Sequence, residues 1–179
     1  MSRSCHYESW LEMFRSIKSF IADLAGDAAS RPKAADCSLA TAALLLLITT
    51  VHREMTVARR MKLNTIIKSR FGLDDQATAR LVKESAAVVR SAIDLYRFTR
   101  QLNDVLDEEG RRQIVHMMWE MVYADGNADE FEANIIWRAA DLLGVSTRQR
   151  VELRQGVLAD TSALASGLFR NINSPSSAA

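Results

Sequence analysis

The densest oxygen chemistry in the chain lies between Tyr123 and Gly144, in the stretch YADGNADEFEANIIWRAADLLG. Asp125, Asn127 and Asp129 alternate as the first three ligands of an EF-hand loop do, and Glu130 and Glu132 follow. Such a loop also needs Gly at its sixth position and a bidentate Glu at its twelfth. Those positions hold Glu130 and Ile136, so an EF-hand is excluded. Five carboxylates, Glu120, Asp125, Asp129, Glu130 and Glu132, nevertheless fall within residues 120–132 without one Lys or Arg. Like charges this close raise one another's pKa unless a cation or a basic partner offsets them. Asp125 adds to the problem, because it ends a predicted helix, where the dipole disfavours negative charge by about 0.3–1 kcal/mol.

Three readings of this corner follow. Carboxylate oxygens suit a hard divalent cation, Ca²⁺, Mg²⁺ or Mn²⁺. The same residues also close a helix–turn–helix joint without metal, Gly126 ending one helix and Asp129 with Glu132 forming a capping box at the start of the next. In the third reading the carboxylates pair with basic residues such as Arg59 and Arg60, of the same molecule or of another copy in a homo-oligomer.

Arg59 and Arg60 come from VHREMTVARRMK, Val51 to Lys62, where Arg53, Arg59, Arg60 and Lys62 stand against Glu54 alone. This basic cluster reads as a solvated helix face, or as a binder of phosphate or of an acidic protein surface. No aromatic residue interleaves it, so a single-stranded nucleic-acid site is not indicated. His116 and Glu120, one helical turn apart, read as an exposed pair, since H-E-x-x-H is absent. Trp119 and Trp137 fall in apolar helical patterns and read as core anchors. Cys5 and Cys37 have no C-x-x-C spacing and fit inert thiols in a reducing, cytoplasmic setting. The sequence contains no G-x-S-x-G, no P-loop and no G-x-G-x-x-G, and no reaction is expected.

Helices must position these groups. Of 179 residues, 48% are hydrophobic and 25% charged, with only two prolines and seven glycines, the balance of a soluble all-α protein. The net charge of +1 supplies no field for steering nucleic acid. Periodicity and capping signals predict helices over 38–52, 56–71, 75–91, 93–105, 108–124, 130–143 and 147–159. Asp74, Asp107 and Ser146 are the expected N-caps, and Gly72 and Gly144 the expected helix stops. Leu39–Val51 is the longest apolar run and, at 13 residues, is too short to cross a bilayer, so it reads as a buried helix.

Before this bundle, residues 10–24 carry Phe14, Ile17, Ile21 and Leu24 at three- and four-residue steps. This amphipathic segment packs on the bundle or lies on a membrane surface, which would make the protein peripheral to the inner membrane. Met13 within it is an alternative to Met1 as the start of translation, and no secretory signal precedes it. Gly26 to Asp36 reads as a linker, which divides the chain into an N-terminal helix and linker (1–36), a helical domain (37–160) and a flexible tail (161–179). Within the domain, IIKSRFGLDDQ (66–76) and RAADLLGVSTR (138–148) match in pattern around Gly72 and Gly144. About seven helices in two pseudo-repeated halves are therefore expected.

The run from Asp94 to Ser146 resembles the bacterial tellurite-resistance TerB-like family, above all in DLYRFT, WEMVYADG and DEFEANIIWRAADLLGVS. With FGLDDQ in the first half, the resemblance covers roughly Leu39 to Arg154. It implies a compact all-helical fold shared with the N-terminal region of membrane-anchored J-domain co-chaperones. It further implies a non-enzymatic role in a metal or stress response and a divalent cation at Asp125, Asp129 and Glu132, with Glu130 as a further donor; docking on a protein partner is expected beside it. The first half departs from the family pattern, offering Val51, His52 and Arg53 in place of a second A-D-G, so a symmetrical pair of cation sites is not expected.

Overall fold

The computed structural model describes residues 31–50, 55–91, 94–126 and 128–172. They form seven α-helices and no strand: α1 (Arg31–Thr50), α2 (Val57–Phe71), α3 (Asp75–Ser91), α4 (Leu95–Asn103), α5 (Glu108–Val122), α6 (Glu130–Leu142) and α7 (Thr147–Ile172). The amphipathic segment 10–24 and Cys5 lie outside the described residues.

The leucine-rich α1 is the central element. Every residue from Ala40 to Thr49 is buried, as expected of a helix that is apolar all round. Its two buried threonines satisfy themselves on the preceding turn, Thr41 donating to the Cys37 carbonyl at 2.9 Å and Thr49 to the Leu46 carbonyl at 3.0 Å. Helices α2 to α6 all pack on α1, while α7 packs on α5. None of the described helices is long and apolar enough to cross a membrane.

The helix order follows the sequence pattern closely, with two corrections at the ends. The first helix starts at Arg31 rather than 38, so residues 31–36 are helical and not linker. Pro32 does not prevent this, because a proline in the first helical turn forfeits no intrahelical hydrogen bond. The last helix runs to Ile172 rather than 159, so the expected tail is helical over 161–172. Ala163, Leu164, Ala165 and Leu168 favour helix there, and the next proline is Pro175.

Caps set the boundaries between. Asp74 and Asp107 accept from the Ala77 and Gly110 amides, each at 2.7 Å. Ser146 and Gln149 cap the start of α7 reciprocally. Thr56, which the pattern did not mark as a cap, accepts from the Arg59 amide at the head of α2.

The two halves end their matching helices in the same way. Gly72 (φ 64°) and Gly144 (φ 70°) take the left-handed conformation. The amides that follow reach back five residues, Leu73 to the Lys68 carbonyl at 3.2 Å and Val145 to the Ala140 carbonyl at 2.9 Å. This 6→1 bond marks the Schellman motif, so α2–α3 and α6–α7 are locally equivalent hairpins.

Candidate functional site: an arginine-locked acidic corner

The acidic corner is a turn between two helices. Helix α5 ends at Val122, residues Tyr123–Asp125 continue as a single 3₁₀ turn, and Gly126 (φ 93°) donates to the Tyr123 carbonyl at 3.1 Å. Asp129 then caps α6, accepting from the Phe131 amide at 2.9 Å, and the Glu132 carboxylate accepts from the Asp129 amide at 3.1 Å. The capping box expected from the D-x-x-E spacing is therefore formed.

The positive charge that quiets this corner comes from the other half of the molecule. Arg59 is buried, 1% exposed, although it lies in the first turn of α2. Its Nη1 and Nη2 engage the two oxygens of Glu132 as a fork, with Nη2 at 3.2 Å from Oε2. Its Nε lies 2.8 Å from Oδ2 of Asp125, and Nη2 is 3.2 Å from Oδ1. Burial works against the guanidinium charge, but the hydrogen bonds and negative charges of Glu132 and Asp125 outweigh it and raise the Arg59 pKa above the ordinary arginine value. The group is locked as a cation.

The geometry of this clamp follows the pseudo-repeat. Thr56 caps α2 and Asp129 caps α6, so Arg59 and Glu132 each stand three residues past the cap of equivalent helices. A carboxylate there complements its own helix N-terminus, whereas an arginine opposes it. Arg59 is held against that gradient by charges 66 and 73 residues away.

A second ionic cluster lies one turn along the same interface. Glu120 of α5 accepts from Lys62 at 3.1 Å and Arg70 at 3.3 Å, both on α2, with His116 Nδ1 at 3.6 Å. Burial pushes the Glu120 carboxyl up, but His116, Lys62 and Arg70 outweigh it and bring its pKa down to about 2. His116 and Glu120 are thus not the exposed pair expected from the sequence: His116 is buried, because α7 and α2 flank that face of α5. Arg59 and Lys62 likewise are not a solvated face. Their acidic partner is the protein's own second half.

Helix α7 closes the corner from outside. Arg154 stacks 5.2 Å from the Trp119 ring and donates from Nε to the Tyr123 hydroxyl at 3.0 Å. Trp119 is buried and stacks on Tyr123 with ring centres 5.7 Å apart, an anchor as expected. Cys37 is buried, and burial lifts its thiol pKa to about 11, which suits an inert side chain.

Of the four residues expected to hold a cation, the fold brings Asp125 and Glu132 together around Arg59. Asp129 is engaged at the head of α6, and Glu130 is exposed beside it. Both oxygens of Glu132 already accept hydrogen bonds from Arg59, and one also accepts from the Asp129 amide. Among the described residues no three His, Cys, Asp or Glu side chains are gathered as a metal would require. A cation at Glu132 would have to compete with the Arg59 guanidinium for the same oxygens.

An all-α bundle of two hairpin halves, joined by a buried arginine of one half set against the capped acidic turn of the other, defines a small helical domain without a visible catalytic constellation among its described residues. The family model of the tellurite resistance protein TerB matches residues 38–155, well over half of the chain. The chain belongs to the TerB family. Neither a search of curated proteins nor one of solved structures found a match.

Proposed function

We propose that the chain is a non-catalytic interaction scaffold of the TerB family, in which the acidic corner is a structural clamp and the bundle docks on a protein partner in a stress response. The observation that carries this reading is the burial of Arg59 between Asp125 and Glu132. A buried charge is tolerated only when paired and hydrogen-bonded, and here both carboxylate partners of the guanidinium, Asp125 and Glu132, come from the chain itself. Two of the four carboxylates that looked available for a ligand, Asp125 and Glu132, are engaged by Arg59 of α2. Family membership supports the non-enzymatic role and the stress context.

A divalent cation held by Asp125, Asp129, Glu130 and Glu132 is the competing reading, favoured by the solvent-facing flank of Asp125, whose side chain is 25% exposed. Calorimetric titration of Ca²⁺, Mg²⁺ and Mn²⁺ into wild type and Asp125→Ala separates the two. The clamp predicts flat traces for both proteins. Heat in wild type that disappears in Asp125→Ala would overturn it and leave the cation reading.

A further inference from the structure

Helices α2 and α7 both pack on α5 but scarcely touch one another, so they stand as two walls over it with a groove of about 440 Å³ between them. On α2 the lining residues include Ala58, Met61 and Thr65, and on α7 Val157, Asp160 and Thr161, each set at helical three- and four-residue steps. Glu120 and Tyr123 form part of the floor. Helix α2 buries Arg59, Leu63, Ile66 and Ile67 against the bundle, yet Met61 is 66% exposed and Val57, one turn earlier, 76% exposed. Two walls with matched helical spacing and an uncovered apolar rim form a cleft shaped for a third helix, the helix-in-groove mode of recognition.

The sequence supplies an occupant. Residues 10–24 carry the stripe Phe14, Ile17, Ile21 and Leu24. As a helix this segment would be about 22 Å long, the same as α2, which also has 15 residues. Residues 25–30 connect it to Arg31 and can span about 20 Å when extended. Lys18, four residues after Phe14 and three before Ile21, flanks the stripe, and the groove offers the exposed carboxylate of Asp160 on its α7 wall. We propose that residues 10–24 dock as a helix in the groove between α2 and α7 of the same molecule, covering Met61. The segment would then compete with any partner helix for that groove. This inference goes beyond the clamp reading and does not depend on it.

The test uses the full chain with Cys5→Ser and Ser19→Cys, so that a nitroxide sits off the apolar stripe while the buried Cys37 stays unlabelled. The methyl resonance of Met61 should be strongly broadened, equally so on dilution. It should sharpen when Ile17→Asp and Ile21→Asp are added. Because Met61 is exposed, Met61→Lys should leave the fold intact and release the nitroxide to fast motion in its electron paramagnetic resonance spectrum. A sharp Met61 resonance overturns the proposal. Broadening that fades on dilution also overturns it, in favour of a second copy. Co-sedimentation with phosphatidylglycerol vesicles through residues 10–24, with Met61 remaining sharp, overturns it in favour of a membrane surface.

Discussion

Arg59 has few neighbours it could exchange for others. Its planar fork meets both oxygens of Glu132 while Nε faces Asp125, a geometry that a lysine ammonium cannot reproduce. Arg59→Ala should cost about 3–5 kcal/mol in urea unfolding, because it leaves the Glu132 carboxylate buried without its counter-charge. Adding Glu132→Gln should recover part of that loss, giving a coupling well above the error of a double-mutant cycle. Glu120 carries the acid sensitivity of the same interface. Its folded pKa of about 2 lies below the ordinary 4.5, so its stabilisation is present above pH 4.5 and fades as pH falls towards 2. The contribution is no more than about 3 kcal/mol. Glu120→Gln should flatten the decline of stability between pH 5 and pH 2, followed by urea midpoints.

At the scale of elements, the caps set where each helix begins and therefore where its charges point. Asp129→Ala removes a cap worth about 1 kcal/mol. It should also loosen Glu132, whose carboxylate accepts from the Asp129 amide, so the measured loss should exceed that of Asp74→Ala, a cap without such a second role. Gly144 sits at φ 70°, where a side chain is strained, and Gly144→Ala should lower stability by about 1–2 kcal/mol although open space surrounds the position. The elements themselves were legible in the sequence because they rest on local signals. Asp74, Asp107, Ser146, Gly72 and Gly144 all act where the pattern placed them. The errors fell where local signals are ambiguous: Pro32 looks like a linker residue but is tolerated in a first turn, and the small residues after Asp160 propagate a helix as readily as they end one.

For the whole molecule, the clamp ties the head of α2 to the head of α6 and so couples the two pseudo-repeated halves. Arg59→Ala should therefore speed amide hydrogen exchange at residues 57–60 and at 129–133 together, while α4, whose Asn103 meets the opposite end of α6 at the Leu142 carbonyl, keeps its protection. Acceleration confined to one of the two segments would contradict the coupling. The opposite charges of the two joints, basic around Arg59 and acidic around Asp125, were visible in the sequence as an asymmetry between halves. In the folded chain they form a complementary pair, and the same complementarity buries His116 and engages Lys62 and Arg70 on Glu120.

The sequence by itself determined the order of the helices, most of their caps, the repeated glycine stops and the family, because each depends on residues within a turn or two of one another. Only the tertiary structure decided which charge answers which. Arg59 and Arg60 are adjacent and chemically alike, yet one is buried between two carboxylates and the other faces water. That choice depends on how α2 is rotated against α5 and α6, and the rotation is set by core packing across more than sixty residues of intervening chain.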